Sequence, residues 1–196
     1  EQILFTKRDG TGNFDKEDIY TAFVKGDTAW TNPQSIASTI NSVYNEGTCT
    51  VTADGNILIY TSCDAPDSNG SCDLYVAYKV NGAWQRPTNM GSKVNSRYWE
   101  SQPSLSADGR ILFFSSNRKG GFGGNDIWYS VRQMDGSWTE AKNLGQPVNT
   151  PKDEIAPFMF FNNELLFFAS NGHLGFGGMD IFLSRVEEGE FKEPEN

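Results

Sequence analysis

The chain has 196 residues, 37% of them hydrophobic and 13% aromatic, and carries a net charge of −9. That mix suits one folded, β-rich domain with a sizeable core and argues against a disordered chain. Phosphate backbones are anionic, so so acidic a chain is not expected to have a nucleic-acid partner.

No apolar run approaches the roughly 20 residues a membrane helix needs, so the protein is not expected to span a membrane by a helix. No signal peptide is recognisable, and the chain opens at Glu1 directly on an apolar strand, Ile3 to Thr6. It reads as a processed protein or a piece of a longer one. Next comes DGTGNFDKED, Asp9 to Asp18, with a calcium-like density of carboxylates and glycine. It does not match an EF-hand loop, so no cofactor is expected and calcium is the minor alternative. The strand that follows opens on Asp18-Ile-Tyr.

From here the sequence repeats. Asn41, Asn95 and Asn149 are spaced by 54 residues, and so are Glu46, Glu100 and Glu154. Trp30, Trp84 and Trp138 keep the same step, with Phe191 close to the next one. An Asp before Ile or Leu and an aromatic recurs as Asp18, Asp73, Asp126 and Asp180. One unit can be written from residues 100–149. SQPSLS is its first strand, and Ala-Asp-Gly suits the positive φ of a tight hairpin turn. RILFFSS is a dense apolar run suited to a strand buried on both faces, and DIWYSVR alternates as a third strand. Asp-Gly then turns the chain into SWTEAK, the fourth and most polar strand. No helical stripe of useful length occurs. A four-stranded antiparallel unit recurring every 40 to 55 residues is the mark of a β-propeller blade. The expected fold is therefore all-β: a single partial propeller over 1–196, with blades at about 1–41 (incomplete), 42–95, 96–149 and 150–196.

Within the second blade, SCDAPDSNGSCD places Cys63 and Cys72 on either side of a polar loop. Two cysteines facing each other across a hairpin can form a disulfide, which suits an oxidising compartment and leaves Cys49 as the odd thiol. Two reduced thiols are the alternative. With one histidine and no CxxC spacing, no metal site is expected.

The corresponding loop of the third blade, NRKGGFGGNDIW, holds Gly120, Gly121, Gly123 and Gly124, and NGHLGFGGMDIF repeats it 54 residues later. A phosphate loop needs a helix behind it, and the position where GxGxxG would place its last glycine is Asp126. The cluster therefore reads as a wide loop between second and third strands, with a ligand nest of exposed N–H groups as the alternative. The recurrent carboxylates Glu46, Glu100, Glu154, Asp54 and Asp108 read as structural, because an active site needs one copy of each group. The glutamates would satisfy backbone N–H groups at blade junctions, and the Asp before Ile and an aromatic would cap the loop. His173 replaces a loop residue of the previous blade and is expected to be exposed; no GxSxG or nearby cysteine supports a triad. Phe122 and Phe176 hold matching loop positions. Two readings stay open for them, folding back over the blade or offering a contact surface.

The stretch SLSADGRILFFSSNRKGGFGGNDIWYSV, Ser104 to Val131, resembles the WD-like repeat of TolB-type β-propellers. With the paired glycines and a following Trp, Leu-Gly and Val-Asn, it is similar to the variant found in cell-envelope proteins of Bacteroidota. In those proteins the propeller often lies between a helical repeat domain and an OmpA-like peptidoglycan-binding domain, and some belong to the periplasmic, outer-membrane-associated type IX secretion and gliding machinery. The resemblance spans the chain, strongest over Cys72 to Asn95 and Ser101 to Thr150, weakest over Ile3 to Asn41.

The resemblance implies a non-catalytic interaction module in the periplasm. It implies envelope proteins as partners, and peptidoglycan through a domain outside this chain. It also implies that loops joining second to third strands share a face with those joining fourth to first strands. That face would carry Lys7–Asp18, Asp64–Ser71, Asn117–Asn125 and Asn171–Met179, with Ser42–Asn45, Ser96–Trp99 and Thr150–Asp153. Arg118, Phe122, His173, Phe176, Tyr98 and Trp99 are its candidate contact residues. A carbohydrate-binding module or glycan-active propeller enzyme is the alternative function, and a hydrolase comes third. TolB-like rings usually close with six blades, or roughly 324 residues at this period. The chain is therefore expected to form part of a larger ring, or to pack its ends on another chain.

Overall fold

The computed structural model describes residues 2–9, 16–27 and 29–196, which form strands and turns and, among those residues, no helix. In the first sheet Gln2–Asp9 pairs antiparallel with Lys16–Lys25, which carries the short segments Ala29–Trp30 and Gln34–Ser35 on its far side. The second sheet runs Asn45–Val51, Ile57–Cys63, Cys72–Val80, then Ala83–Trp84 and Thr88–Asn89. The third runs Glu100–Leu105, Ile111–Ser116, Asp126–Val131 and Lys142–Asn143. The fourth runs Glu154–Met159, Leu165–Ser170, Asp180–Glu187 and Glu190–Phe191.

SWTEAK is not one continuous strand. In each blade the outer edge is made of two short pieces: Trp138 bridges Arg132, and Lys142–Asn143 pairs four residues further on. Pro33, Pro87 and Pro194 sit between the two pieces in the other blades. Proline has no N–H to give a ladder and is tolerated at sheet edges, so the break falls where nothing further pairs.

The hairpin turns follow the Asp-Gly chemistry. Gly55 and Gly109 take φ of 72° and 67°. Asp108 accepts the Arg110 N–H at 3.0 Å and the Ser106 hydroxyl at 2.6 Å, and Asp54 does the same with Asn56 and Thr52. The second strands supply the core. Leu58, Leu112 and Leu166 are fully buried, and each anchors one apolar cluster between neighbouring sheets.

Innermost strands are also tied edge to edge. The Gln102 N–H donates to Thr48 Oγ1 at 3.0 Å, and the Ala156 N–H donates to Gln102 Oε1 at 2.9 Å. Gln102 and Ala156 lie at register shifts in their strands, with φ of 56° and 53°. Such bulges turn backbone donors out of one ladder and toward the next blade. Each sheet packs on its neighbour in chain order. Among the described residues, no strand of the fourth sheet packs on the first.

Candidate functional site

The loops at one end of the sheets form a shared face, and three recurring polar devices build it. The first is the junction glutamate. Glu100, fully buried, accepts the Ser96 N–H at 2.8 Å, the Ser96 hydroxyl at 2.6 Å and the Ser116 hydroxyl at 2.7 Å. Glu154 repeats this with Thr150 and Ser170, and Glu46 holds the Ser42 N–H and hydroxyl. Burial raises the Glu46 carboxyl, while the Ser42 donors and Lys16 oppose the rise. The second device is the asparagine clamp. Asn95 Oδ1 accepts the Leu74 N–H and its amide donates to the Leu74 carbonyl, and Asn41 and Asn149 do likewise with Ile19 and Ile127.

The third device is the glycine loop. The N–H groups of Phe122 and Gly123 point at Asp126, those of Phe176 and Gly177 at Asp180, and those of Asn69 and Gly70 at Asp73. The loop is a nest, and the chain's own carboxylate fills it. Burial raises Asp126, against the pull of those amides. A Cβ at Gly121 would lie 1.7 Å from Asp126 Oδ2, which is why the position takes glycine.

The second-to-third-strand loops touch the loops that lead to the next blade. The Ser71 N–H donates to the Tyr98 carbonyl at 3.1 Å, and the Gly124 N–H donates to the Lys152 carbonyl at 2.8 Å. Asn125 donates through both its backbone and its side chain to Asp153, at 2.9 and 2.8 Å. Burial raises Asp153, but these donors and Asn171 outweigh it and leave the carboxyl below its usual value. In the second blade Cys63 and Cys72 face each other across the sheet, Cα atoms 4.0 Å apart, and are joined as a disulfide that closes the loop 64–71. Cys49 is free and half-buried, and burial pushes its thiol up to about 12.

The candidate contact residues divide into two groups. Phe122 is 49% exposed and Phe176 95%, so both rings stand out from the face. Tyr98 and Trp99 are half-buried along the junction of second and third blades, with Trp99 bridging Cys72. Arg118 turns inward instead. Its guanidinium pairs with Glu100 at 3.0 Å, donates to the Val94 carbonyl and lies 5.1 Å from the ring centres of Phe114 and Trp128. His173, expected at the surface, is also drawn in. Its ring packs on Phe168 and Phe182, and Nε2 sits 2.8 Å from the Val148 oxygen. Both cases have one cause: the aromatic pair and carbonyl at each junction offer a slot that a flat cationic or imidazole ring fills better than water does. Most of the Asp9–Asp18 loop, residues 10–15, lies outside the described residues, and with it the calcium reading. Among the described residues no three His, Cys, Asp or Glu side chains gather as metal ligands. No helix there is long and apolar enough to cross a membrane.

No family model matches the chain, and no curated protein matches it either. Solved structures do. TolB from Acinetobacter baumannii superposes with a TM-score of 0.63 at 14% identity, covering 98% of this chain and 41% of its own. A putative TolB from Agrobacterium tumefaciens gives 0.59 at 19% identity, over 98% of this chain and 60% of its own. A thermostable family-43 glycoside hydrolase gives 0.60 at 14% identity, over 100% and 70%. The fold is a β-propeller. The described part of the propeller holds four blades in an arc, and the chain spans less than two thirds of either TolB structure. At these identities the likeness is one of fold, which hosts many functions.

Proposed function

We propose that this propeller is a non-catalytic protein-interaction module of the bacterial cell envelope, working in the periplasm. The observation that carries the reading is the loop face itself. Its recurring buried carboxylates are engaged in holding backbone N–H groups, while Phe122, Leu174 and Phe176 project from it. Exposed aromatic anchors rimmed by polar loops suit a protein partner. The Cys63–Cys72 bridge supports an oxidising compartment, and the TolB likeness supports an envelope setting. Outer-membrane association, a type IX secretion role and a peptidoglycan link through a further domain are the finer form of the proposal; they rest on the sequence resemblance.

The test is cross-linking and affinity capture from envelope fractions, with wild type beside a Phe122→Ser/Phe176→Ser variant. Specific envelope proteins that the variant loses support the reading. Recovery of no envelope protein, or equal recovery with the variant, overturns it. A second reading, a glycan-binding or glycan-active propeller, draws on the glycoside-hydrolase likeness. It requires hits on a glycan array, and none would remove it.

A further inference from the structure

The three complete blade junctions can be compared position by position, and one of them lacks a part. In the third blade the slot between Phe114, Trp128 and Glu100 is filled by the Arg118 guanidinium. In the fourth, the matching slot between Phe168 and Phe182 is filled by the His173 ring, which comes from one position further along the loop. Both side chains end on the carbonyl at the same repeat position, Val94 and Val148. The second blade has the same walls: Tyr60 and Tyr75, with ring centres 6.1 Å apart, and the buried Glu46. The residues at the two filling positions are Asp64 and Ala65, which have no cation to offer. Asp64 is held at φ 60° at the foot of the disulfide-closed loop, with its N–H on the Ser71 carbonyl.

A cavity of about 430 Å³ lies there, lined by Glu46, Tyr60, Ser62, Tyr75, Ile40 and Ala65 among others. The other two junctions also carry cavities, of about 540 and 320 Å³, but Arg118 or His173 lines them in place of the buried glutamate and the ring of the second strand. The surrounding charge favours a cation. Asp67 also lines the cavity and accepts the Tyr75 hydroxyl at 2.7 Å. Of the charges nearest Glu46 on the first blade, Lys16 is paired with Asp18 at 2.7 Å. One cation of this chain, Arg86, stands at the mouth.

We infer that this slot receives the guanidinium of an arginine presented by a partner protein. The occupant would lie against the two tyrosine rings, donate to Glu46 and reach the Ile40 carbonyl, as Arg118 does with its own set. An aromatic pair over a buried carboxylate recognises a planar cation through cation–π contact and charge-assisted hydrogen bonds. The slot opens on the proposed interaction face, so the inference rests on that reading for the source of the arginine, but not for its chemistry.

The test is NMR titration of the whole chain with N-acetyl-arginine-N-methylamide and with its uncharged citrulline counterpart. The expected result is shifts at Tyr60, Tyr75 and Ala65, with citrulline weaker by about tenfold or more. Equal affinity for the two, shifts elsewhere, or no binding overturns the slot. Binding that appears only in Arg86→Ala would show that the chain's own arginine is the occupant and would overturn the partner. Glu46→Gln should lose the arginine preference; the arginine–citrulline contrast on wild type stands even where that variant folds poorly. If the probe binds and no envelope protein is captured, the scaffold reading falls and the slot stands. If capture succeeds and is unchanged by Glu46→Gln, the arginine is not part of that interface and this inference falls.

Discussion

A methyl group placed on Gly123 would lie 1.9 Å from the Lys152 carbonyl oxygen and 2.7 Å from that of Thr150. Gly177 holds the same repeat position, and a methyl group there meets nothing within 4 Å. The difference is the neighbour: the third-blade glycine is covered by the loop leading to the fourth blade. Gly123→Ala should therefore destabilise by roughly 1–3 kcal/mol, the range of an overpacked site. Gly177→Ala should stay within about 0.5 kcal/mol of wild type, as an uncrowded surface change does. Denaturant midpoints of the two variants check the contrast. Asp108 gives a pH signature at the same scale. Burial raises its carboxyl, but the Ser106 hydroxyl and the Arg110 N–H outweigh it and leave it below the usual 3.8. A carboxyl lowered by folding adds stability above its unfolded value and loses it as pH falls through the folded one. Asp108→Asn should thus be less stable than wild type at neutral pH and match it well below pH 3.8. A gap that persists in acid would show that the carboxylate charge is not the cause.

At the scale of the element, the second blade's hairpin is stapled where the third blade's is filled. Arg118 and the glycine nest hold the 117–125 loop, whereas the 64–71 loop has the Cys63–Cys72 bridge as well as its own nest on Asp73. Closing so short a loop stabilises by roughly 2.5–3 kcal/mol in the chain-entropy account. Cys63→Ser/Cys72→Ser should lower unfolding stability by about that amount. In wild type, alkylation after unfolding without reductant should label one thiol, Cys49, and after reduction three. Three labelled thiols without reductant would contradict the bridge. In the folded protein Cys49 should resist alkylation at mild pH, because burial holds its thiol up at about 12 and the thiolate is the reactive form.

Over the whole molecule, the two middle blades are covered on both faces and the last one on one face only. Ile127 is 0% exposed, while Ile181, its counterpart in the fourth blade, is 71% exposed. Phe158 and Phe161 of the same blade are open as well, at 56% and 73%. Each blade of a propeller buries its apolar face against the next, so this face lacks the surface that covers its equivalents. The chain taken alone should self-associate as its concentration rises, with light scattering as the readout. Phe158→Ser/Ile181→Ser should reduce that association while leaving the melting temperature nearly unchanged. A wild type that stays monomeric throughout would mean that the exposed face is not adhesive.

What the sequence determined by itself is whatever depends on spacing and local chemistry. The 54-residue period, the Asp-Gly turns and the apolar second strands are such features, and so is the pairing of Cys63 with Cys72 across one hairpin. The structural use of Glu100 and Asp126 was legible too, because a group that recurs with every blade serves what every blade needs. The direction of Arg118, the packing of the His173 ring on Phe168 and Phe182 and the two-piece outer strands were decided only in three dimensions. So was the open slot at Tyr60 and Tyr75, although Asp64 and Ala65 opposite Arg118 and Lys119 were its trace in the sequence. Residues at one repeat position have similar local sequence but different neighbours, and burial is a property of the neighbours: Ile127 and Ile181 are the same residue at the same repeat position, and what lies against them sets them apart.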